Sequence, residues 1–262
     1  MSNPMTPHSL VAGLSAPVRA LVMGATGGIG LAFVRLLLER SDVLHVTATA
    51  RHALASSDLA DLAALHPTRL QLVAADLTDS ASLHNLAAQM PQAPLHLCIN
   101  AAGVLHQAEL MPEKNLAAVN SFNLQRVFAV NAFGPVLLAQ AVLPLMRHAE
   151  PSIFASLSAR VGSIGDNRLG GWYAYRAAKA AHNQLLKTVA IECKRTHPQL
   201  SVQLLHPGTV DSELSRPFQR AVPSPQLFTP AHSASCLLAV MAAATAQNSG
   251  RFVAWDGEEI VW

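Results

Sequence analysis

The sequence predicts an α/β fold: a doubly wound parallel sheet of seven strands with helices on both faces. Three observations predict it. Short β-branched or apolar runs alternate with longer helical patterns along the 262 residues, the pattern of repeated strand–helix–strand units. Hydrophobic residues make up 51% of the chain and charged residues 13%, as expected for strands buried on both faces. A glycine-rich turn joins the first strand to the first helix.

In chain order, strands are expected at 19–23, 44–49, 70–74, 95–99, 152–158, 201–205 and 252–254. Helices are expected between them at 28–39, 57–65, 80–90, 124–148, 173–197 and 231–246. No linker or internal repeat divides the chain, so residues 18–262 are read as one dinucleotide-binding domain of the Rossmann type. Residues 1–17 are read as an irregular extension, and the proline-rich stretch 215–230 as an irregular loop.

Composition excludes other classes. Eighteen basic against sixteen acidic residues give a net charge of +2, and no Lys/Arg cluster offers a track for nucleic acid. Mean hydropathy is +0.28, which excludes disorder. The longest apolar stretch, 129–146, is broken by Asn131, Gly134, Pro135, Gln140 and Pro144, so no membrane span is expected. No basic residue precedes the mildly apolar 10–14 patch, and the start of a signal peptide is therefore missing. Cys98, Cys193 and Cys236 are widely spaced and read as buried, reduced thiols of a cytoplasmic protein. The twelve histidines show no metal-binding spacing, and no metal is expected. His106 alone is placed near the site. Gly162-Ser163-Ile164-Gly165 is not the G-x-S-x-G of a hydrolase.

The first strand runs into Gly24-Ala25-Thr26-Gly27-Gly28-Ile29-Gly30. Glycines let the backbone turn tightly and approach a pyrophosphate, and free N–H groups at the helix start favour the anion. The second strand ends Thr49-Ala50-Arg51. An NAD site wants a carboxylate near Ala50; Arg51 instead suits a 2′-phosphate, so NADP(H) is expected over NAD(H). Asp76 follows the third strand, placed to accept from an adenine amino group. Asn100-Ala101-Ala102-Gly103 follows the fourth, where small residues let backbone lie against the cofactor. Tyr175-Arg176-Ala177-Ala178-Lys179 puts a phenol and an ammonium on one helix face. The ammonium is expected to lower the phenol pKa and make Tyr175 a general acid/base.

Together these motifs resemble the short-chain dehydrogenase/reductase family, from Arg19 onward. The family's glycine motif matches Gly24, Gly28 and Gly30, with Thr26 and Ile29 in the same turn, and its N-A-G motif matches Asn100, Ala101 and Gly103. The resemblance implies catalytic Ser158, Tyr175, Lys179 and Asn131. It implies cofactor contacts at Arg51, Asp76, Leu77, Tyr175, Lys179, Pro207, Gly208, Val210 and Ser212, the last standing where threonine is commoner. The 160–173 stretch, the Asp256-Gly257 turn and terminal Trp262 resemble the C-factor-like (C-signal) branch. Insertion 166–171 explains the long Ser158–Tyr175 interval.

The resemblance implies an NADP(H)-dependent oxidoreductase that reversibly reduces a small-molecule carbonyl to an alcohol. NADPH would deliver a hydride, Tyr175 the proton, and Ser158 would hold the oxygen. Lys179 would hold the ribose hydroxyls, and Asn131 would fix a relay water. It also implies a homodimer or homotetramer through the two long helices. The alternative is a dinucleotide-binding regulatory or cell-signalling protein with little turnover; retention of Asn131, Ser158, Tyr175 and Lys179 favours the enzyme. Trp172 is expected to wall the pocket or pack the core. The 209–228 loop reads as a lid or a surface connection, with Leu214, Pro217 and Phe218 hinting at an apolar substrate.

Overall fold

The computed structural model describes residues 9–262, and residues 1–8 of the expected extension lie outside them. The chain builds β1 (Val18–Met23), α1 (Gly28–Glu39), β2 (Val43–Ala50), α2 (Ser57–Leu65), β3 (Leu70–Ala74), α3 (Ser80–Gln89) and β4 (Leu97–Asn100). It continues through α4 (Ser121–Phe128), α5 (Gly134–Val142), β5 (Ser152–Leu157), α6 (Tyr173–Thr196) and β6 (Leu200–His206). The short strands β7 (Thr209–Val210) and β8 (Leu227–Phe228), then α7 (Pro230–Ala242) and β9 (Arg251–Ala254), complete it.

Seven strands form one sheet in the order β3-β2-β1-β4-β5-β6-β9, every neighbouring pair parallel. This is the expected doubly wound sheet. Strand order reverses between β1 and β4, and the crevice beyond the strand carboxyl ends at such a reversal is where ligands bind.

Alternation along the strands sorts the core. Ala20 and Val22 of β1 join Phe33, Val34 and Leu37 of α1 and Leu237 and Met241 of α7 on one face. Leu21 and Met23 join Leu83 and Leu86 of α3, Leu138 of α5 and Leu186 of α6 on the other. Within the former extension, Leu10, Val11 and Leu14 dock into the first face, and the Leu10 N–H donates to Asp42 Oδ2 at 2.9 Å. That segment is irregular but packed.

Three expectations need correction. The helix expected at 124–148 begins at Ser121, where the Asn120 side chain caps it. It opens into a π-helical turn over Ala129–Phe133 and ends in a 3₁₀ turn at Leu143–Met146 that contains Pro144, a residue without the N–H that an α-helix needs. By length and composition alone the run Ser121–Met146 is long and apolar enough to cross a membrane; here it packs against α3 and α6. The stretch 215–230 is not wholly irregular: 3₁₀ turns at Arg216–Ala221 and Ser224–Gln226 precede β8, which pairs with β7. Cys98 and Cys193 are buried, but Cys236 is only half-buried, its Sγ 3.7 Å from His232 Nε2 one turn away on α7.

Candidate active site

The glycine turn at the β1–α1 junction is shaped by close approach. Gly24 has φ +82°, and a Cβ there would lie 2.6 Å from the Ala102 nitrogen. At Gly30 a Cβ would lie 2.1 Å from the Gly24 carbonyl oxygen. Both positions exclude any side chain, so the turn can stay tight enough for α1 to start beside β4. Thr26 and Gly28 are exposed on it, and Ile29 is half-buried. Gly27 offers no side-chain cap to α1, which leaves the first N–H groups of the helix available to an anion. A Cβ on Gly28 would meet Ser212 at 3.5 Å and Pro230 at 3.3 Å. That bare backbone opposite Ser212 is a cradle of the kind a dinucleotide needs, and the residues fit the group.

Arg51 is exposed immediately past β2. Burial pushes the Asp76 carboxyl up, but donation from the Thr78 N–H and hydroxyl, with the charges of Arg51 and Arg126, leaves it below its ordinary value. Asp76 Oδ1 accepts both Thr78 bonds, at 2.8 and 2.7 Å. Leu77 is buried, and a Cβ on Gly134 would come 2.5 Å from its Cγ; only main-chain atoms of Leu77 remain for a ligand. Ala101 and Gly103 follow β4, the first held by its N–H to the Met23 carbonyl at 2.8 Å.

Two carboxyl-end elements bring the catalytic candidates together. Ser158 follows β5, and its hydroxyl donates to Asn183 Oδ1 at 2.6 Å. Tyr175, Lys179 and Asn183 sit at i, i+4 and i+8 of α6, one buried face. The Lys179 ammonium donates to the Leu157 carbonyl at 2.8 Å and lies 5.7 Å from the centre of the Tyr175 ring. The 160–162 turn can rest on α6 because Gly162 has no side chain: a Cβ would be 2.8 Å from that of Lys179. The expected electrostatics are reversed. Burial pushes the Tyr175 phenol upward and Lys179 down to about 7. Desolvation disfavours both charged forms.

Asn131 lies in the π turn with no exposed surface. Its Oδ1 accepts from the Val104 N–H at 3.0 Å, and its Nδ2 donates to the Val104 carbonyl at 2.7 Å. It thereby holds Gly103, whose own Cβ position would lie 3.9 Å from Lys179 Nζ. Asn100 turns inward as well: Nδ2 donates to Ser156 Oγ at 2.9 Å, Oδ1 accepts from the Ala102 N–H at 3.2 Å, and Ser156 Oγ meets His182 Nε2 at 2.9 Å. Through these bonds the Asn100 side chain shapes the turn after β4.

Some positioning residues have no counterpart in the sequence reading. Trp172 precedes α6 in the left-handed region, φ 52°, and supplies no side-chain cap. Glu113, from 61 positions upstream, does so instead: its Oε2 accepts the Ala174 N–H at 3.1 Å while Oε1 accepts from Asn123 at 3.3 Å. A carboxylate at a helix start is favourable, and this one fixes the turn that carries Tyr175. The spacing Tyr175–Lys179–Asn183 is a local signal that reveals Asn183; nothing local points to Glu113.

A cavity of about 560 Å³ opens beside these groups. Ser158 and Tyr175 line one side, and Ile29, Pro207, Gly208, Val210 and Ser212 another. Gly208 has φ +77° and no room for a side chain beside Phe228. The Ser212 hydroxyl donates to the Val210 carbonyl at 3.3 Å. Leu214 and Phe218 line the cavity, whereas Pro217 does not. Trp172 stacks edge-on to Tyr175 and Phe218, at 6.2 and 4.9 Å between centroids. It therefore walls the pocket. His106 also meets Phe218, at 5.7 Å, and reaches the Glu213 carbonyl. His206 lines the cavity too, pushed down to about 4 by burial and by Arg160.

The family model described as short chain dehydrogenase matches residues 19–222. The C-signal protein of Myxococcus xanthus is 32% identical over 179 residues, 67% of this chain and 98% of that protein. The 1-hydroxy-2-glutathionyl-2-methyl-3-butene dehydrogenase of Rhodococcus sp. (strain AD45) is 32% identical over 243 residues, 92% of this chain and 98% of that one. Among solved structures, the NADPH-bound carbonyl reductase from chicken fatty liver superposes with a TM-score of 0.83 at 28% identity, covering 94% of this chain and 100% of that chain.

Proposed function

The chain belongs to the short chain dehydrogenase family, an NAD(P)-dependent oxidoreductase family, and within it we propose an NADP(H)-dependent carbonyl reductase acting reversibly on a small-molecule carbonyl or alcohol. The observation that carries this reading is the meeting of Ser158 and Tyr175 on one wall of a cavity that Ile29 of the glycine turn and Ser212 also line. The similarity to an NADPH-bound carbonyl reductase supports it.

When bound, the cofactor supplies the hydride. Tyr175 gives its phenolic proton to the carbonyl oxygen; burial keeps that proton on the phenol until it is needed. Ser158 stabilises the same oxygen as negative charge develops. To do so its hydroxyl hydrogen turns away from Asn183 Oδ1. Rotation of the Asn183 amide then offers Nδ2, a buried donor with no partner, to Ser158 Oγ. Lys179 holds the ribose hydroxyls and returns a proton to Tyr175. Asn131 holds the 103–104 turn beside the ammonium and frames the route by which a water reaches it. Gly24, Thr26, Gly28, Gly30, Ala101 and Gly103 give the backbone approach to the dinucleotide, with Asp76 toward the adenine and Pro207, Gly208, Val210 and Ser212 toward the nicotinamide.

Arg51, following Ala50 rather than a carboxylate, supports NADP(H) over NAD(H). Arg51→Ala should raise the KM for NADPH roughly tenfold, the effect of one lost charge-assisted bond, and leave that for NADH nearly unchanged. Equal losses with both cofactors would remove this preference. Exposed Phe122, Phe133 and Tyr173 on the long helices support association through that face, which sedimentation measures. NADPH consumption by the purified protein across a carbonyl panel tests the activity itself. Tight NADPH binding with no turnover would favour the regulatory reading, toward which the likeness to C-signal points.

A further inference from the structure

We propose that the substrate carries, besides its carbonyl, an anionic group of the carboxylate class, held at the mouth of the cavity by Arg168 and Arg160. The inference rests on the carbonyl-reducing reading of the same site and deepens it. Among the cavity-lining residues are three guanidinium groups, Arg160, Arg168 and Arg176, and one carboxylate, Asp166. Arg160, Asp166 and Arg168 lie between Ser158 and α6, and Arg176 in the first turn of α6; the dinucleotide phosphates are assigned to other segments, the glycine turn and Arg51.

The three arginines are not equivalent. Arg176 is structural: its Nε donates to the carbonyls of Gly170 and Gly171 at 3.1 and 3.0 Å, and Nη1 to that of Val161 at 3.5 Å. It ties the inserted turn to α6 one residue after Tyr175. The Gly165 N–H donates to the Trp262 carbonyl at 2.9 Å and anchors the other side of the insertion. Between these anchors Arg168 is exposed and makes no hydrogen bond or ion pair among the described residues. Arg160 has only a loose pairing, 3.4 Å to Asp166, with both side chains partly exposed. The nearby Glu213 is already engaged with Arg216 at 2.6 Å. A solvated arginine would explain Arg168 alone; it does not explain an unbalanced cationic rim on an anchored turn over an apolar cavity. Leu105, Val161, Trp172, Leu214 and Phe218 line the same cavity and suit an apolar body. The substrate then has three parts: a carbonyl at Tyr175, an apolar middle and a carboxylate at the rim. It adds a charged end to the apolar substrate hinted at by Leu214, Pro217 and Phe218.

The test pairs 4-formylbenzoate with its methyl ester, and the corresponding alcohols as ligands of the protein alone. The acid should exceed the ester in kcat/KM by about tenfold or more, the worth of one charge-assisted bond, and its alcohol should bind more tightly in calorimetry by a similar factor. Arg168→Gln and Arg160→Gln should each shrink both ratios, and Arg168→Glu should invert them. An ester handled as well as the acid, or ratios unmoved by the substitutions, would overturn the proposal. If neither aldehyde turns over, the binding ratios of the two alcohols still decide the anionic site, while the carbonyl panel decides the reductase reading.

Discussion

The two faces of the sheet are packed by different rules. On the face covered by α1, α2 and α7 the core is built mainly from Leu, Val and Ala, with Phe33, Ile99, Ile153 and Met241. The polar side chains buried there all have partners: Gln203 donates to Ser201 and Asn248, and Ser233 to the Pro207 carbonyl. On the face covered by α3, α5 and α6, strand alternation places Thr47, Thr49 and Ser152, and α6 brings His182 and Asn183; each has a buried polar atom without a partner among the described residues. An unpaired buried polar atom costs about 1–3 kcal/mol. Lys179 adds a buried ammonium on the same side. One layer thus pairs its buried polar groups, while the other, which carries Tyr175 and Lys179, leaves several unpaired among the described residues.

Four substitutions sharpen or break that contrast. Tyr175→Phe removes only the proposed acid, so kcat should fall by roughly 10²–10⁴ with NADPH binding and melting temperature retained. Turnover at the wild-type rate would end the assignment. Phe33→Ala, on α1 with no exposed surface, should cost about 3–5 kcal/mol in urea unfolding and leave kcat per folded molecule unchanged. A large kcat loss there would show the two faces to be coupled.

Lys179→Met should abolish activity yet stabilise the fold by roughly 1–2 kcal/mol at pH 7. Burial takes Lys179 from 10.5 to about 7, so between those values the unfolded chain binds more protons than the folded one. Native stability therefore rises with pH across that window, and the variant should lack this rise in denaturation curves taken at pH 7 and pH 10. Glu113→Ala should have the smallest effect, about 1 kcal/mol from the lost cap, with a severalfold drop in kcat as Tyr175 loses its fixed turn. Glu113→Gln, which keeps one acceptor, should restore part of both. If the alanine variant lowered stability alone, Glu113 would hold the helix without positioning the acid.

What was legible in the sequence is local. Alternating apolar runs marked the strands, and α1 and α2 fall where their patterns predicted them. Tyr175 and Lys179 share a helix face because four residues make about one turn. The same spacing carries Asn183 onto that face. The break at Asn131 could not be seen, because its side chain is spent on Val104, 27 positions away; that contact exists only once β4 and the helix are packed.

The sequence by itself determined the order of elements, the glycine turn that admits no side chain, and the residue types available for proton transfer. Tertiary structure alone decided that Glu113 caps α6, that burial raises the Tyr175 phenol where a lowering was expected and depresses Lys179, and that Arg160 and Arg168 share a cavity with Ser158. Spacing encodes contacts within a turn or two of chain, because local geometry repeats there. Burial and contacts between distant segments depend on which surfaces the whole chain brings together and removes from water.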